Sequence, residues 1–269
     1  MRAAAVLLAI VAAAVAAALV ASSGAEAVQA TAEIRRVTIA SKAVHRRLHL
    51  TVVIPAGGGS GRGLVIFLHG RGGDDRTSVR GPFLSALDRL GGDAPVVAFP
   101  DGGDHSYWHD RRSGAWRRYV VDEVIPRAVA VSGADPQRVA LGGISMGGFG
   151  AYDIARRSPS RFCAAGGHSP AIWTASGLTA PGAFDGPADF ERHDVVAAAR
   201  RGRFKDLPLW LDAGRSDPFV PGDRAFAQAA QAGGSHLTVR SWAGGHDSAY
   251  WDAHWRSYLR FYVDALAAC

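Results

Sequence analysis

Lysine is nearly absent from this 269-residue sequence: only Lys42 and Lys205 are lysines among its 30 basic residues. The other basic residues are arginines, and their pairs are scattered along the chain instead of being clustered with aromatic residues on one element. A nucleic-acid-binding surface has that clustered pattern, so we expect no nucleic-acid partner. The net charge of +6 is compatible with loose association with an anionic envelope or polymer.

Cysteine is equally scarce, and Cys163 and Cys269 lack the spacing of a metal-binding pair. Two interpretations stay open for them: a disulfide that closes a long loop, or a buried free Cys163 with an unattached Cys269. Asp104, His105 and His109 lie in one loop, but their pattern matches no metal motif. We therefore expect neither a metal nor a cofactor.

The amino-terminal residues differ in composition from the rest of the chain. Residues 3–21 form an uninterrupted apolar run after Arg2, and residues 25–27 (Ala-Glu-Ala) offer a cleavage site. We predict a secretory signal peptide at residues 1–27, with an uncleaved anchor as the alternative, because the run is just long enough to span a bilayer. Residues 28–269, which contain no repeat or long low-complexity linker, then form a single domain that is secreted or held at the cell envelope.

Strand-like and helix-like segments alternate along this domain, which predicts βαβ units, a mainly parallel sheet and the α/β class. The continuous apolar run at residues 64–68 is typical of a strand buried on both faces. Ligands of such sheets bind beyond the carboxyl ends of the strands, so we expect the functional groups in the loops there. The predicted strands are 34–40 and 48–54, which form an antiparallel pair, then 64–68, 96–99, 138–141, 162–166, 209–213 and 238–241. The main predicted helices are 79–90, 116–131 with a kink or a restart at Pro126, 149–157 and 250–267.

A nucleophile motif joins the predicted strand at 138–141 to the helix at 149–157. Residues 143–147 read Gly-Ile-Ser-Met-Gly, the G-x-S-x-G pattern of a tight turn that projects a serine hydroxyl above a sheet. Glycine is needed on both sides of the serine because Cβ atoms would collide in so tight a turn. Ser145 is therefore the candidate nucleophile, and the N–H of Met146 is a candidate donor to a developing oxyanion.

A serine needs a base to take its proton and a carboxylate to orient that base. Asp217 follows the predicted strand at 209–213, where the acid belongs, and Asp212 within that strand is the second choice. His246 follows the last predicted strand on a Gly-Gly turn, which makes it the candidate base. Arg71, after the strand at 64–68, is expected to supply the second oxyanion N–H through its backbone.

These residues together resemble the esterase D and carbohydrate esterase family 1 group of α/β hydrolases, which includes feruloyl and acetylxylan esterases and mycolyltransferases of the antigen 85 type. The resemblance implies the α/β-hydrolase fold, Ser145 as nucleophile, Asp217 as acid and His246 as base. Arg71 stands where many members have a small residue. The segments that carry the resemblance are Leu68-His69-Gly70, Asp122-Glu123-Val124-Ile125-Pro126, Gly143 to Ala151, Ser169-Pro170-Ala171, Gly214-Arg215-Ser216-Asp217 and Gly245-His246-Asp247.

The resemblance and the predicted signal peptide together imply an exported serine esterase that acts on small esters or acylated carbohydrates through an acyl-enzyme. Candidate substrate-binding residues are His69, Trp108 and Trp173, although packing of the two tryptophans under loops is the alternative for them. No large lid insertion is evident, which favours an open site over that of a lipase. Two other functions stay open: an acyltransferase with the same triad, and a non-catalytic envelope-binding protein, which usually has a broken triad.

Overall fold

A computed structural model describes residues 31–269, so the predicted signal peptide or anchor at residues 1–27 lies outside the described residues. The strands are β1 Glu33–Ser41, β2 Arg46–Ile54, β3 Leu64–Leu68, β4 Val96–Pro100, β5 Asp110–Arg111, β6 Gly114–Ala115, β7 Val139–Ile144, β8 Ala164–His168, β9 Leu209–Gly214 and β10 Leu237–Trp242. The α-helices are α1 Gly81–Asp88, α2 Trp116–Arg118, α3 Ile125–Ser132, α4 Met146–Ala155, α5 Pro187–Arg192, α6 Val195–Arg200, α7 Val220–Ala232 and α8 Ser248–Ala267.

Eight of the strands form one twisted sheet in the order β1-β2-β4-β3-β7-β8-β9-β10. The first two pairs in this order are antiparallel, and every other pair is parallel. The predicted α/β class, the mainly parallel sheet and the antiparallel opening pair are thus confirmed. Because the parallel strands share one direction, the loops after β3, β7, β8, β9 and β10 all emerge at the same edge of the sheet.

The central strand β3 is buried along its whole length, as its apolar run predicts. Its side chains alternate between two hydrophobic cores, one on each face of the sheet. Phe67 packs on one face against Trp255 of α8, with ring centroids 4.8 Å apart, and Trp255 packs in turn against Phe83 of α1. Helices α4, α6 and α7 cover the opposite face. The sheet is therefore a rigid platform for the loops at its edge.

The helical segment predicted over residues 116–131, with a kink or a restart at Pro126, is divided into three parts. Helix α2 continues into a π-helical stretch, Tyr119–Val124, and α3 begins directly after it with Pro126 in its first turn. Proline has no N–H to donate to the carbonyl of Asp122, so the regular helical ladder is interrupted at this point. The wider π turn accommodates the interruption without ending the segment.

Cys163 and Cys269 form a disulfide with a Cα–Cα distance of 5.5 Å, so the first of the two interpretations of the cysteines holds. The bridge ties the residue before β8 to the residues that follow α8.

Within residues 31–269, no helix combines the length and the apolar character that a membrane crossing requires.

Candidate active site

Ser145 occupies a strained turn between β7 and α4. Its φ and ψ are 56° and −116°, a conformation that residues other than glycine rarely adopt. A Cβ on Gly147 would lie 2.0 Å from the carbonyl oxygen of Leu68, and one on Gly143 would lie 2.4 Å from the backbone of Gly147. The turn therefore requires glycine on both sides of Ser145 for steric reasons, as the sequence analysis predicts.

The structure brings Ser145, His246 and Asp217 together in one hydrogen-bonded line. Ser145 Oγ lies 2.8 Å from His246 Nε2, and His246 Nδ1 lies 2.8 Å from Asp217 Oδ2. The carboxylate can only accept, so Nδ1 carries the imidazole proton and the lone pair of Nε2 faces the serine hydroxyl. This tautomer is the one that a general base for Ser145 needs.

The carboxylate of Asp217 is held ionised in a buried position. Its side chain is fully buried, and its other oxygen, Oδ1, accepts the N–H of Phe219 at 2.8 Å. Burial by itself would raise the pKa of Asp217, but the hydrogen bonds from His246 and from Phe219 outweigh it and hold the pKa below the ordinary value. His246 is more open, with 21% of its side chain exposed, so substrate can reach it.

Asp212, the second choice for the acid, does not contact His246. Its Oδ1 accepts hydrogen bonds from His168 Nδ1 and Trp210 Nε1, both at 2.7 Å. Its Oδ2 accepts the hydroxyls of Tyr250 and Tyr258, both at 2.9 Å. Because its side chain points into the core beneath the site and four donors already occupy it, Asp212 has a structural role.

Two backbone N–H groups border Ser145 where an oxyanion would form. Met146 is the first residue of α4, so its N–H has no partner within the helix. The loop that contains Arg71 packs directly against the serine, since a Cβ on Gly70 would lie 3.3 Å from Ser145 Cβ. Within residues 31–269 the N–H of Arg71 donates to no acceptor, so both predicted donors are available.

His69, predicted as a substrate-binding residue, supports this loop and is not among the residues that line the cavity beside Ser145. It is buried, its Nδ1 donates to the carbonyl of Gly70 at 2.7 Å, and its Nε2 accepts the N–H of Gly102 at 2.9 Å. Both ring nitrogens are therefore used by backbone groups. The ring fixes the start of the loop at residues 69–73 against the residues that follow β4.

A cavity of about 690 Å³ opens over Ser145 and His246. Arg80 and Asp252 at its border pair with each other at 3.1 Å, so Arg71 is the lining cation that has no ion-pair partner within residues 31–269. The remaining wall is mainly aromatic or small. The other lining residues are Gly70, Gly72, Gly73, Thr77, Ser78, Tyr107, Ile144, Ala180, Phe219, Ser248, Trp251 and Trp255.

The two tryptophans predicted to contact substrate lie elsewhere. Trp108 is fully buried, and its Nε1–H donates to the carbonyl of His69 at 3.2 Å, so the packing alternative is correct for it. Trp173 packs edge-on against Phe219, with ring centroids 5.4 Å apart, and is not among the residues that line the cavity. Tyr107, the neighbour of Trp108, lines the cavity instead, and both residues have an unusual positive φ.

Sequence reasoning missed most of the aromatic wall. Phe219 lies two residues after Asp217, and its ring packs 5.0 Å from that of His246. Trp251 and Trp255 project from α8, one helical turn apart. The i, i+4 spacing of these tryptophans, just after the candidate base, was a signal that could have found them.

Comparison with known proteins agrees with this architecture. A curated esterase of Mycobacterium tuberculosis is 29% identical over 113 residues, which are 39% of this chain and 25% of the relative, so the match spans about a quarter of the relative's length. A solved ferulic acid esterase superposes with a TM-score of 0.76 at 19% identity, covering 87% of this chain and 98% of its own.

Other solved structures share the fold. An S-formylglutathione hydrolase from Agrobacterium tumefaciens superposes with a TM-score of 0.76 at 19% identity and covers 88% of this chain and 96% of its own. MPT51 of Mycobacterium tuberculosis superposes with a TM-score of 0.67 at 18% identity and covers 87% of this chain and 99% of its own.

The model of the esterase family matches residues 41–261, which include every residue of the candidate site. The chain therefore belongs to the esterase family, and its architecture is the α/β-hydrolase fold.

Proposed function

We propose that the chain hydrolyses esters through a covalent acyl-enzyme on Ser145. His246 Nε2 takes the proton of Ser145 Oγ as the oxygen attacks the ester carbonyl, and Asp217 stabilises the imidazolium that forms. Collapse of the tetrahedral intermediate expels the alcohol, which leaves with the proton from His246. Water then repeats the attack on the acyl group, and His246 again acts first as base and then as acid. The 2.8 Å contact from Nε2 to Oγ is the observation that carries this proposal.

The N–H groups of Met146 and Arg71 are the proposed oxyanion donors. Both N–H groups lack a hydrogen-bond partner within residues 31–269, and the loop at residues 69–73 packs against Ser145, which supports this role. One such donor contributes about 3 kcal/mol to stabilisation of the transition state, because it is already aimed at the charge that develops.

The proposed substrates are small esters or acylated carbohydrates. An aromatic wall suits a flat acyl group or a sugar face, and the cation of Arg71 suits an oxygen-rich group at the rim. We further propose that residues 28–269 form one catalytic domain that acts outside the cytoplasm, secreted or loosely attached to the envelope, after export directed by residues 1–27. No cofactor takes part in the proposed chemistry.

Hydrolysis of p-nitrophenyl acetate, butyrate and octanoate and of methyl ferulate tests the mechanism. Ser145→Ala is expected to lower kcat by about 10⁴- to 10⁶-fold while leaving the unfolding transition in place. Ser248→Ala is the matched control, because Ser248 lines the same cavity but takes no part in the hydrogen bonds that His246 and Asp217 form within residues 31–269. Unchanged turnover in purified Ser145→Ala protein contradicts the proposal. Product analysis with an added acceptor sugar separates hydrolysis from acyl transfer.

A further inference from the structure

A second cluster of chemically active side chains lies outside the catalytic cavity. His109, Asp189 and His193 are all buried, and each offers one ligand atom within 4.8 Å of the others. His109 comes from the loop after β4, whereas Asp189 lies on α5 and His193 directly follows that helix. The proposed ester hydrolysis uses none of the three.

Asp153 of α4 fixes the orientation of His193. His193 Nδ1 donates to Asp153 Oδ2 at 2.9 Å, so the lone pair of Nε2 points away from Asp153. That nitrogen lies 3.7 Å from Asp189 Oδ1, too far for a hydrogen bond. Two electron-pair donors thus face each other across a gap. A carboxylate that holds the second nitrogen of a histidine is the usual arrangement around a metal-ligating imidazole.

His109 completes the set on the other oxygen of Asp189. Its Nε2 lies 3.1 Å from Asp189 Oδ2, and its Nδ1 is buried without a hydrogen-bond partner in the part of the chain that the structure describes. Its proton can therefore move from Nε2 to Nδ1 without breaking any other hydrogen bond. The ring is free to present the Nε2 lone pair to an ion.

We propose that His109, Asp189 and His193 form a Zn²⁺ site. Two imidazole nitrogens and one carboxylate oxygen are a common three-residue ligand set for zinc, with the fourth position left for water. Ca²⁺ and Mg²⁺ need more oxygen ligands than the single carboxylate here supplies. His109 Nε2 lies 3.1 Å from one oxygen of Asp189, and His193 Nε2 lies 3.7 Å from the other. Both distances are close to the separation of about 3.3 Å between neighbouring ligands in a tetrahedron with bonds of about 2.0 Å.

Binding requires two local changes and no redox step. The proton of His109 moves from Nε2 to Nδ1, and both imidazoles coordinate in the neutral form. Arg192, which pairs with Asp189 Oδ1 at 2.8 Å, releases it; its side chain is 63% exposed, so the guanidinium moves into solvent. Arg192 therefore competes with the ion, and the same exposed side chain marks the route of entry.

The ion would connect the loop after β4 to α5 behind the cavity wall. Phe184 stacks on His109, with centroids 5.1 Å apart, and also on Tyr107, which lines the cavity. A metal bond at His109 would thus stiffen the side of the site that carries Tyr107. This proposal does not depend on the ester chemistry, because its ligands lie outside the triad.

Titration of chelator-treated wild-type protein with ZnCl₂ tests the site directly. We expect one equivalent to bind by calorimetry, and Co²⁺ to give the visible absorption of a tetrahedral complex. At 100 times the Kd, the Tm is expected to rise by about 5–10 °C. If the wild type binds no stoichiometric zinc, the cluster serves only as a structural hydrogen-bond network and the proposal is wrong.

Variants locate the ion. His193→Gln is expected to abolish the calorimetric site and the Co²⁺ absorption, whereas His236→Ala, which removes an exposed histidine far along the chain, leaves both unchanged. Asp189→Asn is the second ligand variant, and near-UV circular dichroism without metal shows whether each variant is folded. Full zinc binding by both folded ligand variants overturns the assignment, since the ion must then lie elsewhere.

Discussion

Asp217 and Asp212 are both buried near β9, but their different partners predict opposite effects of the same substitution. Asp217→Asn replaces the carboxylate that holds His246 by a neutral amide of the same size. The amide can donate to Nδ1 and thereby select the tautomer that cannot accept the proton of Ser145. From the behaviour of other triads we expect kcat to fall about 10⁴-fold, which corresponds to about 5 kcal/mol of transition-state stabilisation.

Asp212→Asn is expected to reduce stability and to preserve chemistry. The carboxylate accepts four hydrogen bonds, two on each oxygen. An amide nitrogen in place of one oxygen faces two donors and satisfies neither. Each hydrogen bond to a charged group contributes about 1.5–3 kcal/mol, so the free energy of unfolding should fall by roughly 3–6 kcal/mol. Turnover per folded molecule should stay within about 10-fold of wild type.

Two measurements on the wild type, Asp217→Asn and Asp212→Asn test which aspartate acts as the acid. Steady-state hydrolysis of p-nitrophenyl butyrate, normalised to the folded fraction seen by near-UV circular dichroism, gives turnover per folded molecule. Urea unfolding gives stability. If Asp217→Asn retained turnover while folded Asp212→Asn lost it, Asp217 would not be the acid and the proposed mechanism would be wrong.

Two further predictions concern stability. Cys269→Ser, or reduction of the disulfide, should lower the free energy of unfolding by about 5 kcal/mol, because the bridge joins residues separated by 106 positions; an unchanged urea midpoint with reductant contradicts this. Burial would raise the pKa of Asp153, but His193 and Arg156 outweigh it and lower the pKa to about 2. Because the folded state favours the carboxylate, this contribution is complete above about pH 4, and roughly 2 kcal/mol is lost as the pH falls towards 2. Unfolding at pH 5 and pH 2.5 measures it, and a smaller acid loss in folded Asp153→Asn is the expected control result.

The parts of the candidate site that sequence reasoning could find are those encoded by short segments. The turn at Ser145 needs glycine at 143 and 147, and that need is visible as a motif because the clashing atoms belong to the turn itself and to the end of the neighbouring strand β3 with the residue after it. His246 could be expected because a Gly-Gly turn follows a predictable strand. The roles of these residues remain proposals, but their proximity in space follows from the fold class.

The sequence pattern could not predict the direction in which a side chain points. Trp108 and Tyr107 are neighbours with the same unusual positive φ, yet the first points into the core and the second into the cavity. The difference depends on what packs around each ring. Trp108 lies so close to Gly150 that a Cβ at position 150 would clash with it. Composition and periodicity contain no information about such contacts between distant segments.

By itself, the sequence determined the α/β class, the mainly parallel sheet and the geometry of the turn at Ser145, because strand periodicity and glycine sterics act over a few residues. Only the tertiary structure decided between Asp217 and Asp212, joined Cys163 to Cys269, and gathered His109 with Asp189 and His193. Each of these outcomes depends on the distance between side chains far apart in the chain or on opposite faces of one strand. That distance is set by how the helices pack on the sheet.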